Sequence, residues 1–325
     1  MSRFQVLLTD YAWPDLAIER RTLADVGADL IVADATDEAT LTRQATDADA
    51  IMTNWAKVTS RVLAAATKCR IVARTGIGLD NIDVEFAAAR GIPVTNVPDY
   101  CIREVAEHAL ALILALGRKV AFYHHETKSG RYAIAAGPPL RRLEGQTLGI
   151  VGLGNTGQQL ATLASAIGLR VLAYARRPER VGSPAEWAPL DALLEQSDYV
   201  SLHLASTPET RHFIGREQLA RMKPTAYLIN TARGAVLDET ALVEALAAER
   251  LAGAALDVQE QEPPDLSRPS YSDPRVIVTP HAAFYSLEAV SELRRRASLQ
   301  VADALTGKTP ANVVNAVDLN AAARP

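Results

Sequence analysis

Three polar side chains, each placed after an apolar run in the second half of the sequence, have the chemistry of an acid–base site. Arg233 follows AYLIN, Glu262 lies in the acidic loop DVQEQEP, and His281 stands in TPHAA. A guanidinium can bind a carboxylate through two hydrogen bonds and polarise the adjacent carbonyl. A histidine beside a carboxylate is suited to proton transfer near neutral pH. The alternatives are an ion pair for Arg233, a structural histidine and a solvated acidic loop.

A glycine-rich turn predicts a dinucleotide site. Gly152, Gly154 and Gly157 form the pattern G-x-G-x-x-G, with Asn155 and Thr156 inside it, between the apolar run LGIV and the helical segment QQLATLASAI. The first glycine permits the tight turn, the second lets the backbone approach a pyrophosphate, and the third lets the helix pack on the strand. The N-terminus of the helix then supplies N–H donors and a positive dipole to the phosphates. A coincidental glycine turn is the alternative, and the flanking segments argue against it.

The residues after the next predicted strand indicate the coenzyme. NAD sites of this kind carry an acidic residue about 20 positions after the glycines, where it binds the ribose 2′-hydroxyl. Here RVLAY is followed by Ala175, Arg176 and Arg177. Because guanidinium groups bind a 2′-phosphate that an acid would repel, we predict a preference for NADP(H), with NAD(H) as the alternative. The arginines can instead cap a surface turn or stack on adenine.

The elements that must position these residues are predicted from alternating strand-like and helical runs. The first 98 residues contain five short apolar runs, and a second series of six begins at Thr147. This alternation predicts an α/β protein with two Rossmann-like or flavodoxin-like doubly wound domains, each with a parallel sheet, separated by a cleft. We expect a discontinuous substrate domain of residues 1–98 plus 286–325, closed by a last helix with Ser286 as its N-cap, and a dinucleotide-binding domain of residues 99–285.

Composition narrows the classes of partner. The 325 residues carry a formal charge of −4 with acids and bases interspersed, so we expect neither a nucleic acid nor a membrane as partner. The apolar helix from about Ile102 to Leu116 is too short to span a bilayer and is predicted to be a core helix. Two cysteines and a start without the layout of a signal peptide predict a cytoplasmic location. The pair His124 and His125 has no second cluster of ligands, so no metal site is predicted.

From Ala73 to Ala297 the sequence resembles the D-isomer-specific 2-hydroxyacid dehydrogenases. Seven blocks stand in the order of that family: ARTGIGLDNID, NVPDYCIREVAEHALALIL, TLGIVGLGNTGQ, LASTPETRHFIG, NTARGAVLDETALVEAL, GAALDVQEQEP and VTPHAAFYSLEA. Within the family the chain resembles the glyoxylate and hydroxypyruvate reductases, and PDYC with PHAAFYS is most similar to the branch of the C-terminal-binding proteins. The first 70 residues carry little of the resemblance.

The resemblance implies a role for each matching residue. Arg233 would bind the substrate carboxylate and carbonyl, His281 would be the general acid/base, and Glu262 would orient His281 and raise its pKa. Formate dehydrogenases of the same superfamily carry glutamine in place of this glutamate, which argues against formate as substrate. The further cofactor contacts implied are His203, Thr207, Thr231, Ala232 and Asp257. The further substrate contacts implied are Gly76, Ile77 and Gly78, with Trp55 and Lys57 in the loop after the third strand.

The activity implied is the reversible reduction of a 2-oxo acid to the D-2-hydroxy acid by a homodimer. Core packing alone would also explain the helical stripe of Ala106, Leu110, Ile113, Leu114 and Gly117 that resembles the family's dimer helix. Asp257 can be a capping acid, Trp55 and Lys57 can be ordinary surface residues, and Gly76 to Gly78 can be an ordinary turn. Two other functions stay open: an NAD(P)H-sensing binding protein, and a phosphite-type dehydrogenase.

Overall fold

The computed structural model describes residues 3–317 and divides them into two compact units. The first unit contains the described residues up to Tyr100 together with those from Ser286 onward, and the second unit is Cys101–Tyr285. The chain leaves the first unit slightly later than residue 98, where the sequence pattern placed the boundary. Each unit has its own parallel sheet and its own hydrophobic core.

The sheet of the first unit has five parallel strands in the order β2-β1-β3-β4-β5, which is the flavodoxin-like order. Its strands are β1 Phe4–Leu8, β2 Ala28–Val32, β3 Ala50–Thr53, β4 Val72–Arg74 and β5 Val94–Thr95. Its helices are α1 Ala17–Ala24, α2 Glu38–Ala45, α3 Ser60–Ala65, α4 Val84–Ala89 and α12 Leu287–Leu305. All residues of β3 and β4 are buried, because helices cover both faces of a parallel sheet.

Helix α12 packs against α1 and begins as the sequence predicted. The hydroxyl of Ser286 accepts a hydrogen bond from the Ala289 N–H at 2.9 Å, as expected for an N-cap. Near the middle of α12, the buried Arg294 donates two hydrogen bonds of 2.8 Å to the fully buried carboxylate of Glu19 on α1. Asp15 gives Arg294 a further acceptor at 3.0 Å. This ion pair ties the last helix of the unit to its first one.

The sheet of the second unit has seven parallel strands in the order β12-β11-β10-β9-β6-β7-β8. This is the Rossmann order with one strand added beside the last, and the strand order reverses between β6 and β9. Its strands are β6 Thr147–Val151, β7 Arg170–Tyr174, β8 Ala185–Trp187, β9 Tyr199–Leu202, β10 Tyr227–Asn230, β11 Gly253–Leu256 and β12 Val276–Val278. Its helices are α5 Ile102–Arg118, α6 Val120–Lys128, α7 Asn155–Ala166, α8 Leu190–Gln196, α9 Arg216–Arg221, α10 Glu239–Ala247 and α11 Pro269–Ser272.

One strand of this sheet was missing from the prediction of six strands. β8 is a three-residue strand at the edge of the sheet, and only Ala185 of its three residues is buried. A strand this short and exposed has no apolar run by which the sequence would reveal it.

Helix α5 packs against α7 and lies in the core of the second unit. Ala106 and Ile113 of the predicted stripe are fully buried there, and a Cβ on Gly117 would lie 2.5 Å from the Tyr199 hydroxyl. Leu110 and Leu114 of the same stripe are only partly buried. Packing within the unit therefore accounts for much of the stripe. Among residues 3–317, no helix combines the length and the apolar character that a membrane span requires.

We expect Glu19→Ala to lower the free energy of unfolding by about 3 kcal/mol, because the substitution leaves the charge of Arg294 buried with only Asp15 as an acidic partner. The measurement is chemical denaturation followed by circular dichroism. Glu292→Ala is the control, since it removes the solvent-exposed carboxylate that pairs with Arg295 and Arg296 and should change the free energy by less than about 1 kcal/mol. Equal losses of unfolding free energy in the two variants would show that the buried Glu19–Arg294 pair stabilises the protein no more than an exposed pair.

Candidate active site

The glycine-rich turn between β6 and α7 has the geometry that a pyrophosphate requires. Gly152 has a φ of 98°, and a Cβ there would lie 2.7 Å from the carbonyl oxygen of His203. A Cβ on Gly157 would lie 2.5 Å from the carbonyl oxygen of Gly152, so α7 packs on the turn as closely as the pattern predicts. By contrast, nothing lies within 4 Å of a Cβ placed on Gly154. This open space borders Asn155 and Thr156 in the first turn of α7, where backbone N–H groups have no partner within a helix.

The strand that follows ends without an acid. β7 ends at Tyr174, and the exposed residues Arg176 and Arg177 follow Ala175. The positive charge of Arg176 contributes to a lowered pKa of Glu209, whose largest cause is a hydrogen bond from Thr207. The turn therefore presents guanidinium groups where an NAD site would carry a carboxylate.

Arg233 lies in a turn that is braced from inside the sheet. The fully buried amide of Asn230, at the end of β10, accepts from the Ala232 N–H at 3.0 Å and donates to the Arg233 carbonyl at 3.0 Å. The guanidinium of Arg233 donates to the Ala232 carbonyl at 2.7 Å. Asn230 was not among the predicted site residues, because its role is to hold the backbone of the turn rather than to contact a ligand.

Glu262 and His281 form the predicted pair. His281 Nδ1 lies 2.7 Å from Glu262 Oε2, and the other carboxylate oxygen, Oε1, accepts from the Gln259 N–H at 3.1 Å. Partial burial acts to raise the pKa of Glu262, but the hydrogen bond and charge of His281, the Gln259 N–H and the charge of Arg233 together hold it below its usual value. The carboxylate is therefore ionised at neutral pH and binds the Nδ1 atom of the imidazole ring, which leaves Nε2 for proton transfer.

The backbone of His281 is in the left-handed conformation, which residues other than glycine rarely adopt. Its φ is 52°, and its N–H donates to the carbonyl oxygens of Asp257 at 2.8 Å and Thr279 at 3.1 Å. A left-handed backbone costs roughly 1–2 kcal/mol for such a residue, so the surrounding hydrogen bonds must hold it. Phe284 packs edge-to-face against the imidazole ring, with ring centroids 6.2 Å apart.

Asp257 is buried directly behind this histidine. Its carboxylate accepts from the Thr279 hydroxyl at 2.6 Å, from the Ala282 N–H at 2.9 Å and from the Ala283 N–H at 2.9 Å. These contacts are those of a loop-capping acid, which was the structural alternative for this residue. Acceptance from a nicotinamide carboxamide stays a prediction.

The remaining predicted cofactor residues of this unit lie after β9 and β10. The hydroxyl of Thr231 is buried and has no hydrogen-bond partner among residues 3–317, so it is available to a bound ligand beside Ala232. His203 Nε2 lies 2.9 Å from the Ser201 hydroxyl, and burial lowers the pKa of His203 to about 4. His203 is therefore neutral at physiological pH and brings no charge to a phosphate. The hydroxyl of Thr207 is used within its own turn, where it lies 3.3 Å from that of Thr210.

The predicted substrate residues of the first unit lie in two loops at carboxyl ends of its strands. The Trp55 side chain is 45% exposed, and Asp10 holds its loop by accepting from the N–H groups of Asn54, Trp55 and Ala56 at 2.7–3.1 Å. Lys57, which follows in the same loop, is exposed.

The loop of Gly76, Ile77 and Gly78 is bound to the next strand segment through its carbonyl groups. The Gly76 carbonyl accepts from the Val97 N–H at 3.0 Å, and the Ile77 carbonyl accepts from the Asn96 amide at 2.8 Å. A Cβ on Gly76 would lie 2.5 Å from the guanidinium of Arg74, so a larger residue here would require that side chain to move. The contact between this loop and a substrate carboxylate stays a prediction.

Taken together, the second unit contains a site with the features of a dinucleotide-dependent enzyme. The close-packed glycine turn, the open space at Gly154 and the unpartnered hydroxyl of Thr231 fit a nicotinamide dinucleotide. Arg233, Glu262 and His281 all follow carboxyl ends of strands β10, β11 and β12 in the same sheet. Within residues 3–317, no group of three or more histidine, cysteine, aspartate or glutamate side chains is arranged to hold a metal ion.

Comparisons with known proteins agree with this description. The sequence model of "D-isomer specific 2-hydroxyacid dehydrogenase, NAD binding domain" matches residues 110–283. The chain is 41% identical over 264 residues to the glyoxylate reductase of Korarchaeum cryptofilum, which covers 79% of this chain and 80% of that protein.

Solved structures give the same result for nearly the whole chain. The NADPH-dependent glyoxylate/hydroxypyruvate reductase of Sinorhizobium meliloti, solved with NADP and malonate, has a TM-score of 0.85 at 30% identity, covering 96% of this chain and 97% of that one. The D-lactate dehydrogenase of Aquifex aeolicus, solved with NAD and lactic acid, has a TM-score of 0.87 at 28% identity, covering 96% of this chain and 100% of that one. The chain therefore belongs to the D-isomer specific 2-hydroxyacid dehydrogenase family.

Proposed function

We propose that this protein reduces a 2-oxo acid to the D-2-hydroxy acid with NAD(P)H, in a reversible reaction. The observation that carries this proposal is the hydrogen-bonded pair of Glu262 and His281, together with Arg233, in the sheet that also holds the glycine turn. The D configuration follows from membership of the family, since these side chains alone do not determine it.

The chemistry requires one anion site and one proton donor. When bound, the reduced coenzyme supplies the hydride that C2 of the substrate receives. Arg233 binds the substrate carboxylate and polarises the oxo group, which lowers the barrier to that transfer. His281 donates the proton from Nε2 to the oxygen on which negative charge develops, and Glu262 stabilises the protonated imidazole through Nδ1. In the reverse direction His281 accepts the proton of the hydroxyl group.

For the coenzyme, we propose a preference for NADPH, which rests on Arg176 and Arg177 after β7. A guanidinium binds a 2′-phosphate through paired hydrogen bonds, and the position that NAD sites give to an acid holds none here. The names of relatives do not decide the question, because the Sinorhizobium meliloti structure contains NADP and the Aquifex aeolicus structure contains NAD.

For the substrate, we propose a small 2-oxo acid such as glyoxylate or hydroxypyruvate. The glyoxylate reductase of Korarchaeum cryptofilum and the glyoxylate/hydroxypyruvate reductase of Sinorhizobium meliloti support this class. We assign the N–H groups of Gly76, Ile77 and Gly78 to the substrate carboxylate and Trp55 to the wall of the side-chain pocket. The similarity to the branch of the C-terminal-binding proteins stays a prediction.

We also propose that the protein is a cytoplasmic homodimer that associates through the segment after α5. Helix α6 has no buried residue in its own chain, and Tyr132 and Ile134 beyond it are 92% and 91% exposed. A nine-residue helix is marginal without packing, so a second copy of this segment is a suitable partner. The cytoplasmic location rests on the cysteine count, and neither Cys69 nor Cys101 forms a disulfide.

Replacing the proton donor tests the mechanism. We expect His281→Asn to lower kcat for the reduction of glyoxylate or hydroxypyruvate by roughly 10²-fold or more, because no other group replaces the imidazole in proton transfer. Glu262→Gln keeps an acceptor for Nδ1 but removes the charge, so its kcat should fall less. The rates are measured from the absorbance of the reduced coenzyme. Turnover of the asparagine variant at the wild-type rate would remove His281 from the mechanism.

Replacing the anion site separates binding from proton transfer. We expect Arg233→Lys to lower kcat/KM by roughly 10²-fold, since an ammonium group cannot make the paired contact with a carboxylate and its carbonyl. Arg221→Lys is the matched control, because Arg221 on α9 makes surface ion pairs, with Asp191 and Glu195 of α8 and Glu217 of α9. An unchanged kcat/KM in the Arg233 variant would mean that the carboxylate is anchored elsewhere.

The coenzyme preference is tested by changing both arginines after β7. We expect Arg176→Ala with Arg177→Ala to raise the Kd of NADPH by roughly tenfold or more, through loss of charged hydrogen bonds, and that of NADH far less. Fluorescence titration measures both constants. Arg180→Ala in the same exposed segment is the control and should leave the ratio unchanged. Equal losses for the two coenzymes in the double variant would contradict the assignment.

A further inference from the structure

The side chain of His108 on α5 is directed at the segment between β12 and α12, which carries His281. No step of the proposed reaction uses His108. His108 is 24% exposed, and its Nε2 atom lies 3.2 Å from the Thr279 hydroxyl and 3.5 Å from Asp257 Oδ1. Its neighbours on the buried face of α5, Ala106 and Ala109, are fully buried apolar residues. A polar ring at this place in a core helix needs polar partners, and Thr279 and Asp257 provide them.

The number of protons on the three side chains determines the direction of the hydrogen bonds between His108, Thr279 and Asp257. The Thr279 hydroxyl has a single proton, and it donates that proton to Asp257 Oδ1 at 2.6 Å, because a carboxylate can only accept. Towards His108, the Thr279 oxygen must therefore accept. It follows that Nε2 of His108 carries a proton and donates it to Thr279.

Asp257 connects His108 and Thr279 to the loop of His281 through three further hydrogen bonds. The two oxygens of its carboxylate accept from the N–H groups of Ala282 and Ala283, each at 2.9 Å. Its backbone carbonyl accepts from the His281 N–H at 2.8 Å. These bonds hold the residues on which the left-handed backbone of His281, with its φ of 52°, depends. A continuous chain of hydrogen bonds thus runs from α5 to the loop that carries the proton donor.

We propose that His108 is a positioning residue for the reaction: through Thr279 and Asp257 it keeps His281 in the backbone conformation from which its imidazole donates the proton. The inference rests on the proposed function, in which His281 is that donor. It adds a role for a residue of α5 that has no contact with the imidazole itself. A displacement of about 1 Å at a reacting group can cost roughly 10²-fold in rate. Loss of the hydrogen bonds from His108 through Thr279 to Asp257 should therefore lower turnover, although His108 is remote from the reacting atoms.

The test compares three single variants and one double variant. His108→Leu removes the donor at similar size, His108→Gln keeps an N–H that can reach Thr279, and Thr279→Val removes the hydroxyl at constant shape. We expect His108→Leu and Thr279→Val each to lower kcat for 2-oxo acid reduction by roughly tenfold or more, with the substrate KM within about twofold, since Arg233 still binds the carboxylate. His108→Gln should recover most of the lost kcat.

The double variant His108→Leu with Thr279→Val should be no slower than the slower single variant, because both substitutions break the same chain. Glu107→Gln is the matched control on α5: Glu107 is exposed, its ion pair is with Arg103, and its variant should behave as wild type. Independent losses that multiply in the double variant would overturn the proposal, as would an unchanged kcat in His108→Leu.

A second measurement does not depend on turnover. Amide hydrogen exchange of the segment 281–285, measured without coenzyme, should become faster in His108→Leu and Thr279→Val and stay at the wild-type rate in His108→Gln and Glu107→Gln. Unchanged exchange in both of the first two variants would overturn the proposed brace. If the wild type reduces no 2-oxo acid, the proposed function fails, while the exchange measurement still decides whether His108 holds the loop. Should His108→Leu fail to fold, His108→Asn, whose shorter side chain ends at about the position of Nδ1 and does not reach Thr279, carries the same comparison with His108→Gln.

Discussion

The buried carboxylate of Asp257 accepts the hydrogen bonds on which the geometry of the candidate active site depends. It sits at the end of β11 and binds a hydroxyl and two backbone N–H groups from the segment after β12. Since His281 has a backbone conformation that is unfavourable for its residue type, the loop would relax without these acceptors. The same loop presents the imidazole to Glu262, whose second oxygen is held by the Gln259 N–H. Asp257 therefore holds the loop of His281, while the Gln259 N–H holds Glu262 against the imidazole.

The topology of the sheet explains why residues so far apart in sequence can act together. Glu262, His281 and Arg233 follow β11, β12 and β10, and these three strands are neighbours in one parallel sheet. Parallel strands all end at the same edge, so short polar segments after successive strands converge there. The glycine turn follows β6, next to the point where the strand order reverses, and this is the edge at which such sheets bind their ligands. The parallel order of the strands therefore explains both the fold of this unit and the position of the candidate site at one edge of its sheet.

The sequence predicted the elements with strong apolar periodicity and the residues with distinctive chemistry. Eleven strand-like runs correspond to strands, whereas β8 was missed because only Ala185 of its residues is buried. The pairing of Glu262 with His281 was predicted from residue types and family resemblance. The supporting residues Thr279 and His108 were not assigned, because a hydrogen bond between distant segments has no periodic signature in a sequence. For the same reason the pair of Glu19 and Arg294, at opposite ends of the chain, was found only in the structure. Asn230 was not assigned because it holds the backbone of its own turn, two and three residues away.

The placement of Arg176 and Arg177, to which we assign the choice of coenzyme, has an evolutionary consequence. Arg176 and Arg177 lie in an exposed connection to the short edge strand β8, while Arg233 and His281 follow β10 and β12 on the other side of β6. Val181 of that connection packs against the hydrophobic core, but Arg176 and Arg177 are exposed, so substitutions at the two arginines leave the core and the Glu262–His281 pair in place. On the proposed assignment of these two arginines to the 2′-phosphate, a few substitutions in this connection would exchange NADPH for NADH during evolution and leave the residues after β10 to β12 unchanged.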